Sequence, residues 1–303
     1  MVAESASAPG AHGLSERAPA WTLAVVAMLS VQAGSALSTR LFATAGPAGT
    51  AWLRLTAGAV IFLAISRPRV HSLTRSDVGA VLALGIATGM VTVAFLSAIE
   101  RIALGTAVAI EFLGPLSVAV FHRPNPRRLI WPALALAGVI LLTEPWLGAI
   151  DPVGVILATL AGCGWATYIV LTQRVGDRLA GLRGLSLTIP IAAMTAAIAG
   201  VPQAAGHLGW DVLAAAAGLA MLMPVLPLSL EFLALRRLTT GAFGTLMALE
   251  PALGLIVGFA LLSQVPGIPQ VIGVVLVVVA GVGAERGGHR EYRAASSPPP
   301  LIE

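Results

Sequence analysis

Lysine is absent from this chain, cysteine occurs once, and charged residues of every kind make up only 11% of its 303 residues. A water-soluble domain carries about 25% charged residues, so the last shortage excludes one of this length. The single cysteine, Cys163, lies in an apolar run and excludes both a disulfide framework and a cysteine metal site. No HExxH or GxSxG string occurs, and no glycine-rich run precedes a Lys-Ser or Lys-Thr pair. A zinc peptidase, a serine hydrolase and a nucleotide-driven pump within this chain are therefore not expected. His12, His71, His122, His207 and His289 all fall in loops or tails, away from the apolar runs. No metal and no cofactor is expected.

What the chain has in quantity is apolar surface. It is 57% hydrophobic with a mean hydropathy of +0.90, and that surface has to face a lipid bilayer. All eighteen basic residues are arginine, which with the Ala/Gly richness fits a GC-rich bacterial gene. The net charge of +4 sits in short loops between apolar runs. Orientation in a membrane explains it better than a nucleic-acid partner does.

Ten apolar runs are long enough to be read as spans: 21–39, 47–66, 78–99, 102–121, 129–143, 153–173, 184–202, 210–235, 238–263 and 268–284. The first resembles a signal peptide in length, but its basic flank is poor and its apolar character continues, so it is read as uncleaved. The fifth is short, and the eighth is interrupted by Pro224 and Pro227. Residues 1–20 and 285–303, rich in Ala, Ser, Pro and Gly or in Arg and Pro, read as disordered tails.

The arginines orient the runs. With the N-terminus inside, fifteen of the eighteen fall on inner segments, Arg40 and Arg101 fall outside, and Arg54 lies within a span. That bias supports ten spans with both termini cytoplasmic. Arg101 and Arg237, Gly105 and Gly241, and Pro115 and Pro251 are related by one offset of 136 residues. The expected fold is therefore all-α and integral to the membrane, with ten helices as two inverted five-helix repeats, 21–143 and 153–284. Many secondary transporters are built this way.

Four ionisable side chains lie within spans. Glu250, followed by Pro251 in the stretch from Thr239 to Phe259, stands about eleven residues or roughly 16 Å deep. A carboxylate there costs several kcal/mol unless it is paired, protonated or facing a wet cavity. Glu111 is also deep, one turn before Gly114, which occupies the repeat position of Glu250. For both, a place on a transport path competes with a buried structural role. Glu231 is near Arg236-Arg237 and could snorkel, or be turned inward by Pro227. Arg54 could bind a substrate carboxylate or neutralise a glutamate. Gln32, Trp165, Tyr168, Gln173 and Thr245 are the neutral polar candidates. Trp165 and Tyr168 share a helix face as a cavity wall, with the interfacial belt as the alternative reading. Gly154, Gly162 and Gly164 read as close-packing seams.

Five stretches carry a family resemblance: QAGSALSTRLF (32–42), ALGTAVAIEFLGPLSVAV (103–120), LAGCGWATYIVLTQRVG (160–176), LPLSLEFLALRRL (226–238) and GTLMALEPALGLIVG (244–258). Together and in this order they resemble the drug/metabolite transporter superfamily, EamA type, and most closely its threonine/homoserine exporter branch. The resemblance implies an inner-membrane carrier that exports small metabolites with proton counterflow. It also implies that Gln32, Glu111, Glu231 and Glu250 are polar members of the motif stretches. Val91, Ala103 and Leu228 depart from the family's usual Asn, Pro and Tyr.

The expected partners are a small-molecule substrate, protons and the bilayer, with a homodimer left open and no nucleic acid. The expected pathway residues are Glu250, Glu111, Glu231, Arg54, Gln32, Trp165, Tyr168 and Thr245. Neutral amino acids lead as substrates. A broad drug exporter is the alternative, and a non-transporting scaffold or sensor is a third reading.

Overall fold

The structure, a computed structural model, describes residues 19–66, 74–121, 129–147, 151–175, 182–235, 238 and 240–286. Apart from residues 19–20 and 285–286, the two expected tails lie outside these residues, as do Arg236 and Arg237. Twelve α-helices run in order among the described residues. They are α1 (Ala20–Ser38), α2 (Phe42–Ser66), α3 (Arg75–Ile99), α4 (Leu104–Phe121), α5 (Ile130–Thr143), α6 (Pro152–Val175), α7 (Leu182–Ala204), α8 (Trp210–Ala220), α9 (Leu226–Leu235), α10 (Thr240–Met247), α11 (Glu250–Leu262) and α12 (Ile268–Arg286). No strand occurs among the described residues.

Seven apolar helical runs among them are long enough to cross a bilayer: Trp21–Ser66, Asp77–Ile99, Ile130–Leu147, Pro152–Leu171, Gly184–Ala204, Trp210–Glu231 and Thr245–Leu262. Leu104–Val120 and Ile268–Ala284 are shorter apolar helices. Large side chains such as Met194 and Ile198, one turn apart on α7, stand 72% and 80% exposed. In water such a surface would be costly, whereas in lipid it is the expected outer face. The chain is a multi-pass membrane protein.

The run Trp21–Ser66 holds 46 residues, roughly 69 Å of helix against a hydrocarbon core about 30 Å thick. Gly46, at φ 68°, divides it. The left-handed φ suits glycine, and a Cβ there would also collide with the Gln203 amide. Pro47 then opens the regular part of α2, where its missing N–H costs nothing. Ala48 N and Gly49 N donate to Gln203 Oε1 at 2.8 and 3.2 Å, so a side chain from α7 satisfies this helix start.

Prolines break two later runs, in different ways. Between α8 and α9 the segment Met221–Val225 forms a wide π-type turn in which Met223 is fully extended. Between α10 and α11 the helix stops after Met247 and restarts at Glu250, with Pro251 in its first turn. Pro115, by contrast, lies inside a continuous α4. Within the stretch from Thr239 to Phe259, the described residues 240–259 belong to two helices with a break beside Glu250, a stronger interruption than the distortion expected from sequence.

The buried core falls into three groups. The largest joins α3, α4, α5, α6, α11 and α12. A second lies between α2 and α7, and a third between the start of α2, the end of α7 and α8.

Candidate functional site

The site is built where α4 crosses α11. Leu104 lies beside Gly258, Gly105 against Leu255, and Val108 against Gly254, so the two helices run antiparallel. One further turn along each brings Glu111 (three residues after Val108) and Glu250 (four before Gly254) to the same level of the crossing. Glu250 is buried at the break that starts α11. Glu111 on α4 and Glu231 on α9 lie near it. Glu111 and Glu231 are half-buried. Three carboxylates from three helices therefore share one neighbourhood, although their positions lie up to 139 residues apart.

Helix α1 supplies the neighbouring amide. Gln32 is 2% exposed, its Oε1 has no hydrogen-bond partner, and it faces Gly254, one turn from Glu250. An unpaired buried amide oxygen costs about 1–3 kcal/mol, which makes it available to any donor that enters.

Helix α6 closes the other side of Glu111. Gly162 and Gly114 bring the α6 and α4 backbones so close that a Cβ at Gly114 would collide with the Gly162 carbonyl. Trp165, three residues after Gly162, is on the face that meets α4 and packs against the largest core group. Tyr168 follows one turn later and is half-buried. Val91 of α3 fills the space beside Gly164. Thr245 is half-buried on α10, across the break from Glu250.

Arg54 stands apart. It is 1% exposed on α2, and its Nη1 donates to Ser38 Oγ at 3.3 Å while its Nε has no partner. Helix α2 packs against α3, α7, α8 and the Met221–Val225 turn rather than along α4 or α11. Among the described residues no acidic group lies within ion-pair distance of Arg54, and the ion pair they form is Arg101–Asp151 at 2.9 Å. A pair with a glutamate, one of the two sequence readings of Arg54, is not seen among the described residues.

Polar links that the sequence did not single out tie the chain together at helix ends. Leu104 N donates to Gln264 Oε1 at 3.0 Å, and Gln270 Nε2 donates to Glu144 at 3.1 Å. Arg101 Nη1 donates to Asp151, which also accepts from Val153 N and Gly154 N at the start of α6. The Arg101 hydrogen bond holds the Asp151 carboxyl below its usual range. A sequence signal for these links existed only in the position of the two glutamines, at or just beyond the ends of apolar helices. Among the described residues no group of three or more His, Cys, Asp or Glu side chains could hold a metal ion.

Comparison with known proteins agrees with this architecture. The model of the EamA-like transporter family matches residues 152–283. The threonine/homoserine exporter RhtA of Salmonella typhimurium is 34% identical over 289 residues, covering 92% of this chain and 96% of its own. The Escherichia coli K12 exporter of the same name is 34% identical over 90% of this chain and 94% of its own. A crystal structure of another protein superposes with a TM-score of 0.63 over 89% of this chain and 97% of its own, at 18% identity, a likeness of fold alone. These relatives are transporters and not enzymes. With that identity along nearly its whole length, the chain is a membrane transporter of the drug/metabolite transporter superfamily and belongs to the EamA-like transporter family, on the branch of the threonine/homoserine exporters.

Proposed function

We propose that this chain exports small neutral amino acids, threonine and homoserine first among them, across a bacterial inner membrane in exchange for protons. The observation that carries the reading is the meeting of Glu111, Glu231 and Glu250 at a broken helix. Intramembrane carboxylates mark substrate and proton paths, and broken helices line transporter sites. The names of the 34% identical relatives supply the substrate class.

The working fold is ten spans in two inverted halves with both termini cytoplasmic. Span eight is α8 with α9, span nine is α10 with α11, and span ten is α12. Helix pairings support this reading, because they come in exchanged sets. The contact of α3 with α6 is matched by that of α9 with α1, α3 with α7 by α8 with α2, and α4 with α6 by α11 with α1. The pairs α2–α7, α4–α11 and α5–α12 are each their own counterpart. Substrate enters between the halves beside Trp165 and Gln32. Glu250, with Glu111 or Glu231, takes a proton outside and releases it inside as the halves rock in alternating access.

A broad drug exporter is the second reading, favoured by Val91, whose apolar side chain fills the wall beside Gly164. Efflux of labelled threonine and homoserine from proteoliposomes, with and without an imposed pH gradient, separates the readings. Gradient-driven amino-acid flux supports the proposal. Flux of lipophilic cations with none of amino acids sinks it.

A further inference from the structure

A buried guanidinium with one long hydrogen bond needs another partner. Among the described residues Arg54 is the largest fully buried side chain, and its Nε is orphaned. Taking a cation out of water is repaid only when an anion and further hydrogen bonds meet it. Neither is supplied by the described residues, since Ser38 Oγ is neutral and itself donates to Gly34 O at 2.6 Å.

The surroundings of Arg54 are the seam where α1 and α2 close on a broken helix. Gly58, one turn from Arg54 on the same face of α2, lies 3.0 Å (from an ideal Cβ) to the Pro224 ring. Gly34, one turn from Ser38 on α1, lies 3.3 Å from Leu222 and Met223 side chains in the same way. Arg54 and Ser38 thus continue the two faces that clasp the Met221–Val225 turn. That turn holds the extended residue Met223. Irregular backbone at membrane depth is tolerated where it is buried in protein or lines a cavity. Two independent features, an unpaired buried cation and a broken helix, therefore meet in the seam between α1, α2 and residues 221–225.

We propose that this seam is a carboxylate-binding station for the transported metabolite, separate from the glutamate cluster at the α4–α11 crossing. The unpaired edge of the Arg54 guanidinium receives the carboxylate, and Ser38 orients the guanidinium. The proposal rests on the transport reading and deepens it: it assigns recognition of the amino acid's carboxylate to Arg54. A cluster of carboxylates alone would accept an amine without regard to the rest of the molecule. Arg54 makes the protein select amino acids over amines.

The test compares threonine with threoninol, its amino-alcohol analogue without a carboxylate, in efflux from proteoliposomes. Wild type should prefer threonine by about tenfold or more in apparent affinity, as one charge-assisted pair provides. Arg54→Gln should raise the KM for threonine by about tenfold or more while leaving threoninol unchanged, and Arg54→Lys should restore part of the preference. Threonine should also protect detergent-solubilised wild type against thermal unfolding better than threoninol does, a readout that needs no flux. Equal treatment of the two compounds by wild type overturns the station whatever the variants do, so a variant that fails to fold does not shelter it. Equal losses for both compounds in a folded Arg54→Gln protein overturn it too. Wild type that moves neither compound instead sinks the transport reading itself.

Discussion

Gln264 reaches across 160 residues of sequence to accept the backbone N–H of Leu104 at 3.0 Å. Ser263, in the left-handed conformation, ends α11 and turns the chain so that Gln264 N bonds back to Gly258 O at 3.1 Å. The side chain is then free to satisfy the first turn of α4, as Gln203 does for α2. Both capped helices belong to one half of the sequence and both caps to the other. Both links across the sequence are thus neutral hydrogen bonds, which break more cheaply than buried ion pairs do.

Gln264→Leu removes the acceptor and leaves a part-buried N–H unpaired. The expected cost is about 1–3 kcal/mol, read as a lower midpoint of thermal unfolding in detergent. Gln264→Glu keeps an acceptor at the helix start and should lose less.

The close crossing of α4 and α6 predicts a contrast between glycines. Gly162→Ala places a methyl group about 3 Å from the Glu111 carbonyl, and overpacking of this kind costs about 1–3 kcal/mol. Gly79→Ala on α3 and Gly218→Ala on α8 have nothing within 4 Å and should be neutral, or gain up to about 1 kcal/mol from helix propensity. Unfolding midpoints of the four proteins, wild type included, check the ordering.

Much of the architecture was legible from the arrangement of apolar runs. Nine of the ten expected spans match a helix or an adjacent pair of helices to within three residues at each end. The second, 47–66, is the exception: α2 begins five residues earlier, at Phe42, and is divided at Gly46. Length and hydropathy decide such boundaries, and both are local properties of sequence. The identities of the buried carboxylates were legible for the same reason, because a charge inside an apolar run stands out. Their meeting was not, since it depends on the antiparallel register of Val108 on Gly254, which no local pattern encodes. Arg54 was grouped with them on depth alone, and helix packing puts it in another seam. The glutamine caps were missed because a neutral side chain at a helix end is unremarkable until its partner helix is known.

Acid should loosen the contact between the end of α3 and the start of α6. Arg101 depresses the Asp151 carboxyl, so folding gains from this group at any pH above the ordinary aspartate range. That gain is lost as pH falls through the lower folded value, because the unfolded chain then binds a proton no more readily than the folded one. Asp151→Asn keeps the cap on α6 but removes the charge. Its unfolding midpoint should fall less than that of wild type between neutral and strongly acidic pH. Added salt should shrink the difference, since the pair is largely exposed.

Glu250 is the residue on which the proton-exchange reading stands or falls. It begins α11 at the break, it is the most buried of the three glutamates, and both others lie near it. Glu250→Gln keeps the shape and the hydrogen-bonding capacity while removing the exchangeable proton. Gradient-driven threonine efflux should fall by about a hundredfold, the loss of a step that accounts for about 2.7 kcal/mol of coupling. Exchange of labelled for unlabelled threonine without a gradient should survive, since it needs no net proton movement. Glu111→Gln and Glu231→Gln, on helices beside the break rather than at it, should weaken coupling less. Unchanged gradient-driven efflux in a folded Glu250→Gln protein would assign the proton to another group, and a loss of both efflux and exchange would make Glu250 a substrate contact instead.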